Sequence, residues 1–217
     1  MPFNDNERLE ELIEMRWPDI AAIFVEPVMG NVAGIMPAPG FLEKIRALCD
    51  RYGILMVMDE VKTGFRIANG GAQEYFGVQA DLVTYAKAMA NGFPIAAIAG
   101  KEDMMMTIEP GAVAQGGTFT GNIVGTAAAD ATLEILRTEP VIETIYARGD
   151  RLMRGVSEIL TEAGIAHALT GIPPMFGVYL GDSRKPRDFR EYVDGDNALY
   201  EKIILECCQR GVNPDAD

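Results

Sequence analysis

Short apolar runs in the first half of the chain predict the buried strands of a sheet. They cover residues 20–28 (IAAIFVEPV), 54–61 (ILMVMDEV), 81–86 (DLVTYA) and 94–99 (PIAAIA). The first two runs are continuous, which is typical of strands buried on both faces. Between them, residues 40–51 carry apolar side chains at helical spacing, and Gly53 follows as a C-terminal stop. The pattern therefore predicts an α/β fold with a mostly parallel central sheet flanked by helices.

The pattern changes after Gly121-Asn122, where long helical stretches replace the strands. The predicted elements are helices at 123–137 and 141–163, broken at Pro140, then a strand at 175–180 and a helix at 197–210. The long helices fit a linker and a change of domain. We therefore expect residues 1–138 to form the C-terminal part of a large domain with its linking helix. Residues 139–217 are expected to form part of a small α+β C-terminal domain.

The charge balance argues against a polyanionic partner. The 217 residues include 19 Lys and Arg against 32 Asp and Glu, and the net charge of −13 repels phosphate backbones and anionic lipid. We therefore expect no nucleic-acid partner and no membrane partner. The sequence also lacks an apolar stretch of about 18 residues, and the segment 1–14 is polar and acidic, so neither a membrane span nor a secretory signal is expected. A cytoplasmic location is predicted.

The few cysteines and the single histidine restrict the possible chemistry. Cys49, Cys207 and Cys208 have neither metal-ligand spacing nor an even-numbered disulfide framework, so reduced thiols on helices are expected. His167 is the only histidine, which leaves little for a His-containing triad or a multi-histidine metal site. We expect no metal site and a structural role for this histidine.

Three polar residues lie where predicted strands end, and functional groups gather there in open parallel α/β sheets. They are Glu26, Asp59 and Lys87. Lys87 closes the run LVTYAK, and partial desolvation there would favour the neutral amine that a Schiff-base lysine requires. The alternative is a solvated amine, because most lysines at strand ends reach water. Placement alone favours the solvated amine.

Asp59 follows the run ILMVM, so burial is expected, and a buried carboxylate needs a cationic or hydrogen-bonding partner. A protonated pyridine nitrogen would be one such partner. A salt bridge to Arg66, or bonds to backbone amides of the following loop, is the structural alternative. The residues alone favour that alternative. Glu26 precedes a proline and could simply end its strand.

Five ordered segments carry more information than these single positions. They are Glu26–Val28 with Gly30-Asn31, Asp59–Arg66 (DEVKTGFR), Ala80–Lys87 (ADLVTYAK), Gly92–Pro94 and Gly117–Asn122 (GTFTGN). Together they resemble the class III aminotransferases, a family of pyridoxal-phosphate-dependent enzymes of fold type I. The resemblance runs from about Asn4 to Gly211 and has fewer motifs after Asn122. GNVAG at 30–34 and GGAQEYFGV at 70–78 are most similar to the glutamate-1-semialdehyde aminomutase-like branch.

The resemblance implies roles for five residues. Lys87 would bind pyridoxal phosphate as a Schiff base and then move a proton between the substrate α-carbon and the cofactor. Asp59 would keep the ring nitrogen protonated, and Val61, two residues on along the strand, would pack against a ring face. Asn31 would lie near the ring hydroxyl. Thr118 would donate to the cofactor phosphate, usually that of the neighbouring subunit in this family, which implies a homodimer.

Two of these residues have structural alternatives that the sequence leaves open. Val61 could be an ordinary core valine. Thr118 could cap the helix that follows it, although Asn122 is the better placed cap.

The implied activity is transfer of an amino group between an amino compound and an oxo-acid. An aminomutase, which moves the amino group within one γ-oxo amino acid, is an alternative that uses the same lysine. An inactive remnant of such an enzyme is an alternative from a different class. A nucleotide-binding α/β protein is not supported, because neither GxGxxG nor GxxxxGK[ST] occurs.

Complete members of the family begin well upstream and continue past the segment 211–214, so the chain resembles a family member shortened at both ends. The loop that cradles the cofactor phosphate and the aromatic residue that stacks on the ring would lie upstream. We therefore expect a complete lysine and aspartate pair together with an incomplete phosphate site.

Overall fold

A four-stranded sheet forms the centre of the computed structural model, which describes residues 1–108 and 112–214. Its strands are β1 (Ala22–Val25), β2 (Leu55–Asp59), β3 (Leu82–Tyr85) and β4 (Ala97–Gly100), in this order. β1, β2 and β3 are parallel, and β4 is antiparallel to β3. The predicted, mostly parallel sheet is therefore confirmed, with one antiparallel strand at its edge.

Helices and one hairpin make up the rest of the described chain. The helices are α1 (Asn6–Arg16), α2 (Phe41–Tyr52), α3 (Gly71–Phe76), α4 (Glu102–Met105), α5 (Ile123–Thr138), α6 (Val141–Glu162), α7 (Phe189–Val193) and α8 (Asn197–Gln209). β5 (His167–Ile172) and β6 (Met175–Leu180) form the antiparallel hairpin. Short 3-10 turns at Trp17–Asp19 and Lys87–Ala90 precede β1 and follow β3. None of the helices in the described ranges combines the length and the apolar character that a membrane span requires.

Most predicted elements are confirmed, and the differences have local causes. The bounds of α2, α5, α6, β6 and α8 agree with the predictions to within one residue. β1 is shorter than its apolar run, because Pro27 has no amide hydrogen for a sheet and follows two residues later. The fourth strand begins at Ala97 rather than Pro94, because the amide of Ile95 donates to the carbonyl of Phe93 in a turn.

The sequence patterns missed several elements, including α1, α3 and β5. α1 buries only Leu9 and Ile13, so its apolar stripe is too narrow to be recognised in an acidic segment. β5 has a mixed sequence (HALTGI), and its residues become a strand by pairing with β6, from His167↔Leu180 to Ile172↔Met175.

The larger core lies between α1, α2 and the sheet. Its buried side chains include Leu9, Ile13, Phe41, Leu42, Ile45, Leu48, Met56, Met58 and Val83. Each large side chain that is fully buried stabilises the fold by about 1.5–3 kcal/mol. A smaller cluster joins Met89 and Ala90, just after Lys87, to Ala129 of α5. This second cluster attaches the segment that carries the lysine to α5.

Both edge strands of the sheet expose apolar side chains. Phe24 of β1 is 74% exposed and Ile98 of β4 is 57% exposed. A groove of about 600 Å³ runs along β1, with Phe3 and Phe189 among its lining residues. Among the described residues, β1 has a strand neighbour on one side only. Because the side chain of Phe24 is exposed, the expectation that the apolar run of β1 is buried on both faces is wrong.

The cysteines and the histidine have structural surroundings. Cys49 is buried in α2, and burial raises the pKa of its thiol to about 11, which makes the thiol unreactive. Cys207 and Cys208 lie in α8, and all three cysteines are free thiols on helices, as predicted. The ring nitrogens of His167 lie 2.9 Å from Ser157 Oγ and 2.9 Å from the carbonyl oxygen of Ile165. These contacts agree with a structural role.

Asp81 holds the amino end of β3. Its side chain accepts hydrogen bonds from the amide of Met56 (2.7 Å), from Arg46 (2.8 Å) and from Lys101 (2.5 Å). Burial by itself would raise the pKa of Asp81, but the bonds from Lys101, Met56 and Arg46 outweigh it and lower the pKa to about 2. Because this lies below the ordinary value of about 4, the stabilisation is complete above about pH 4 and is lost as the pH falls toward 2.

Replacing Asp81 with Asn is expected to lower the free energy of unfolding at pH 7 by about 2–4 kcal/mol, because Arg46 and Lys101 lose their shared carboxylate. The difference from the wild type should shrink as the pH falls from about 4 to about 2. Urea unfolding at several pH values measures both effects.

Asp50→Asn is the matched control, because Asp50 is an exposed partner of the same Arg46. It is expected to change the free energy of unfolding by less than about 1 kcal/mol. An equal loss in both variants, or a difference that does not depend on pH, would contradict the role assigned to Asp81.

Candidate active site

The three parallel strands β1, β2 and β3 have their carboxyl ends side by side. We use "edge" below for this row of strand ends and not for the outer strands β1 and β4. β2 pairs with β3 as far as Asp59↔Thr84, and Lys87 follows β3 after one intervening residue. Val61 lies in the loop after β2, and Asn31 lies in the turn after β1. Because β1 is the parallel neighbour of β2, these loops leave the sheet at the same edge. The fold therefore brings four of the five predicted site residues to one sheet edge.

Lys87 begins the 3-10 turn after β3 with a φ of +43°, a left-handed conformation that non-glycine residues rarely adopt. The residue is exposed. The buried residues of this turn are instead Met89 and Ala90, which pack against α5. The partial desolvation expected from the position of Lys87 at the end of a buried strand is therefore not found.

The non-glycine residues with left-handed backbone are concentrated at this edge of the sheet. Besides Lys87, the residues Ala33 (φ 50°), Phe65 (φ 59°) and Asn91 (φ 46°) adopt it in the segments that follow β1, β2 and β3. Among the described non-glycine residues with positive φ, only Asn4 lies elsewhere. Such conformations cost about 1–3 kcal/mol each, persist only where the surrounding structure enforces them, and cluster at functional sites. Their positions mark this edge as a candidate site independently of any resemblance.

Asp59 is half-buried at the end of β2, less buried than its apolar run suggested. Its Oδ1 accepts hydrogen bonds from the amide of Val61 (3.0 Å) and from Thr84 Oγ1 (3.1 Å). The bond to Val61 is one of the structural alternatives that the sequence offered. Arg66, the ion-pair partner that the sequence suggested, donates through Nε to the carbonyl of Pro174 (2.8 Å). The carboxylate therefore has a fixed direction and remains partly accessible from the sheet edge.

Val61 and Asn31 lie in loops rather than on strands. β2 ends at Asp59, so alternation along a strand does not set the direction of Val61. Its position is fixed instead by the hydrogen bond that its backbone amide donates to Asp59 Oδ1. Asn31 is exposed. The side chain of Glu26 accepts a hydrogen bond from the amide of Gly30 (3.1 Å). Glu26 therefore does more than end its strand, because it also holds the turn that carries Asn31.

Thr118 lies in an exposed loop before α5 and not at the strand ends. Asn122 caps α5 by accepting from the amide of Gly125 (2.7 Å), as the sequence favoured. Its Nδ2 also donates to the carbonyl of Pro94 (3.4 Å). The loop that carries Thr118 is therefore attached to the segment that follows Lys87, but Thr118 belongs to a different element from the other four residues.

The loops after β1 and β2 are held against α6 and the β5–β6 hairpin. A Cβ on Gly177 would meet Ala33 Cα at 2.4 Å, so only glycine allows this approach of the two backbones. Thr170 Oγ1 donates to the carbonyl of Ala33. The hydroxyl of Tyr146 donates to the carbonyl of Ile67 (3.0 Å) in the loop after β2. The second half of the chain thus helps to position the site loops.

Several residues that shape the edge were missed by reasoning from the sequence. They are Thr84, Glu60, Gln73 and Tyr85. The run of apolar residues that ends in Asp59-Glu60 carried a usable signal for Glu60. Adjacent side chains at the end of a strand point to opposite sides, so one of two successive acids is expected to face inward. Thr84, Gln73 and Tyr85 carried no local signal, because their roles depend on contacts between distant segments.

The fold defines an α/β protein in which a lysine and a carboxylate follow neighbouring parallel strands at their carboxyl ends. The family model for class III aminotransferases matches residues 3–213, so the chain belongs to the class III aminotransferase family. Its fold is that of the pyridoxal-phosphate-dependent aminotransferases, as predicted.

Individual relatives agree with this assignment. The glutamate-1-semialdehyde 2,1-aminomutase of Methanosarcina acetivorans is 38% identical over 212 residues, which cover 97% of this chain and 50% of that protein. The structure of a glutamate-1-semialdehyde aminomutase from Pseudomonas aeruginosa PAO1 in complex with PMP has a TM-score of 0.85 and 27% identity, covering 98% of this chain and 49% of that one. The β-phenylalanine aminotransferase of Variovorax paradoxus has a TM-score of 0.84 and 27% identity, with coverage of 98% and 49%.

The chain therefore spans about half the length of the relatives it matches. This share agrees with the expectation that the chain corresponds to only part of a complete family member.

Replacing Gly177 with Ala is expected to lower the free energy of unfolding by about 1–3 kcal/mol, because the new methyl group would collide with the backbone of Ala33. Limited proteolysis should also cut faster within residues 30–35, since that turn loses its support. Gly155→Ala is the control, because a Cβ on Gly155 in α6 meets open space. It should instead stabilise the chain by up to about 1 kcal/mol. Similar stability of the two variants, or unchanged cleavage of the turn, would contradict the contact described for Gly177.

Proposed function

We propose that this chain supplies the lysine and the carboxylate of a pyridoxal-phosphate-dependent site that transfers an amino group between an amino compound and an oxo-acid. The observation that carries the proposal is the position of Lys87 and Asp59 after neighbouring parallel strands, in a chain of the class III aminotransferase family. The PMP in the related aminomutase structure supports the choice of cofactor.

The residues at the sheet edge suit this cofactor. An amine can condense with the aldehyde carbon, and a carboxylate can pair with a protonated ring nitrogen. Asp59 suits the second task because its bonds to Val61 and Thr84 fix the direction of the carboxylate. When bound, pyridoxal phosphate supplies an electron sink for negative charge at the α-carbon of an amino substrate.

The residues of this chain would then divide the work. Lys87 Nζ would hold the cofactor covalently, and once released it would take a proton from the substrate α-carbon and deliver it to the cofactor C4′. The negative charge of Asp59 would keep the proton on the ring nitrogen. Val61 would pack against the ring, and Asn31 would lie near the ring hydroxyl.

Thr118 would act from a neighbouring subunit, so a homodimer is part of the proposal. The loop of Thr118 and the start of α5 expose Phe119 (68%), Ile123 (84%) and Val124 (63%). Exposed apolar patches of this kind mark protein contact surfaces. A second copy that covers the patch would bring the Thr118 hydroxyl of one subunit toward the site of the other.

Adding pyridoxal phosphate and then borohydride is expected to fix the cofactor on Lys87, and mass spectrometry of the modified peptide identifies the position. Lys87→Ala should abolish this labelling, because it removes the amine that forms the bond. Lys202→Ala, at an exposed lysine of α8, should leave it unchanged.

Half-saturation should need more pyridoxal phosphate than the intact Methanosarcina acetivorans aminomutase needs in a parallel titration, since the phosphate loop is expected outside this chain. Labelling spread over exposed lysines, or none at all, would overturn the proposed site. An affinity equal to that of the intact relative would overturn the incomplete phosphate site alone.

Intramolecular amino transfer is the second candidate function. The observation that favours it is that relatives 38% and 36% identical to this chain, from Methanosarcina acetivorans and Methanothrix thermoacetophila, are glutamate-1-semialdehyde 2,1-aminomutases. Both reactions use Lys87 in the same way. They differ in whether the amino group leaves with one product and a second substrate accepts it.

Turnover of the loaded protein with and without an added oxo-acid separates the two functions. A transaminase is expected to stop after one half-reaction unless an acceptor is present, because its cofactor keeps the amino group. Turnover of glutamate-1-semialdehyde without an acceptor would instead establish the mutase. No turnover under either condition, with labelling of Lys87 intact, would identify an inactive relative.

A further inference from the structure

Glu60, which directly follows Asp59, is completely buried, with 0% of its surface exposed. Its Oε2 accepts hydrogen bonds from the amide of Ala72 (2.5 Å) and from Thr63 Oγ1 (3.0 Å), and its Oε1 accepts from the amide of Gln73 (3.1 Å). A buried carboxylate without partners would be strongly destabilising, and these three donors satisfy it. The side chain therefore joins the end of β2, the loop after it and the first turn of α3.

The backbone around Glu60 is shaped to fit its carboxylate. Gly71 has a φ of +69°, and a Cβ at this position would meet Glu60 Oε2 at 2.1 Å. The carbonyl of Glu60 accepts from the amide of Gly64 (2.9 Å), and a Cβ on Gly64 would meet the ring of Tyr85 at 2.5 Å. Two glycines thus allow the loop and α3 to close around one acid and one aromatic ring.

A chain of contacts leads from Glu60 to the segment that carries Lys87. Gln73, held by Glu60 through its amide, donates from Nε2 to the hydroxyl of Tyr85 (3.3 Å). The ring of Tyr85 also lies against that of Phe65, with 5.2 Å between the ring centroids. Tyr85 is the last residue of β3 and precedes Lys87 by two positions. These contacts connect Glu60 to the strand end that precedes Lys87.

Asp59 and Glu60 have separate tasks because their side chains leave the strand end on opposite sides. Asp59 is half-buried and is held by Val61 and Thr84, whereas Glu60 is sealed beneath the loop. The amide of Glu60 donates to the carbonyl of Thr84 (3.0 Å), which extends the pairing of β2 with β3 beyond Asp59.

We propose that Glu60 is a positioning residue that sets the location of both Asp59 and Lys87. Its carboxylate fixes the loop after β2 directly, and it fixes the backbone at Lys87 through Gln73 and Tyr85. The effect on cofactor binding rests on the proposed function, whereas the effect on the backbone does not.

The test uses site-resolved hydrogen exchange of the chain without cofactor. The amide of Val61 donates a hydrogen bond to Asp59, and the amide of Met89 donates one to the carbonyl of Ala86 in the turn of Lys87. These two amides therefore report on the loop after β2 and on the turn of Lys87. In Glu60→Gln, one of the two carboxylate oxygens becomes an NH2 group, which cannot accept, so the backbone amide of either Ala72 or Gln73 loses its acceptor. Both reporter amides should then exchange about tenfold faster or more.

Asp81→Asn is the matched control, because Asp81 is also a buried acid that accepts three hydrogen bonds, but it lies at the opposite end of β3. It should accelerate exchange near Met56 and leave Val61 and Met89 unchanged relative to global unfolding. Tyr85→Phe removes only the hydroxyl that accepts from Gln73, so it should accelerate Met89 and spare Val61. This milder variant tests whether Tyr85 positions the turn of Lys87 even if Glu60→Gln does not fold.

Unchanged exchange at Met89 in Tyr85→Phe would contradict the proposal that Glu60 positions Lys87 through Gln73 and Tyr85. Equal effects of Glu60→Gln and Asp81→Asn at both reporter amides would show that Glu60 only stabilises the fold in general. Borohydride labelling of Lys87 is the second readout, and Glu60→Gln should lower it at a subsaturating concentration of pyridoxal phosphate while Asp81→Asn does not. Failure of the wild-type chain to take up the cofactor would count against the proposed function, and the exchange data would still decide the role of Glu60.

Discussion

The parallel pairing of β2 with β3 is the constraint on which the candidate site depends. The register Asp59↔Thr84 brings the two strand ends level, and it places the Thr84 hydroxyl within 3.1 Å of Asp59 Oδ1. A slip of one residue would turn every side chain of the strand to the other face of the sheet. Asp59 and Glu60 would then exchange sides. The register therefore decides which of two adjacent acids is presented to the site and which one is buried under the loop.

The site loops adopt conformations that they would not adopt alone. Ala33, Phe65 and Lys87 all have positive φ, and the packing around each loop has to compensate for that strain. The β5–β6 hairpin supports the loop of Ala33, Glu60 supports the loop of Phe65, and α5 supports the turn of Lys87 through the cluster that includes Met89. Three separate parts of the chain thus hold three adjacent loops, so the geometry of this edge depends on the whole fold rather than on any one element.

Lys87 is exposed, and so are apolar side chains of the outer strands of the sheet, β1 and β4. Phe24 and Ile98 leave both outer strands with apolar surface, and the lysine lies at the end of the same sheet. The relatives that contain this fold are about twice as long as the chain. The residues of this chain provide an amine and an oriented carboxylate, while the surroundings that would desolvate the amine are not formed by the residues described.

The sheet, the long helices and the family could be predicted without a structure, because apolar runs, helical spacing and the motifs around Asp59 and Lys87 are local properties of the chain. The sequence also placed Asn31 and Lys87 at or after the ends of strands, which a parallel sheet necessarily brings to the same side. Packing between distant segments established that β1 is an outer strand, that Val61 lies in a loop, that Thr118 lies on another element, and that Glu60 rather than Asp59 is the sealed acid. It also showed that residues 167–172 form a strand. Each of these depends on which distant segment supplies a neighbour, a donor or a covering surface, and a local pattern contains no information about partners that lie far away in the chain.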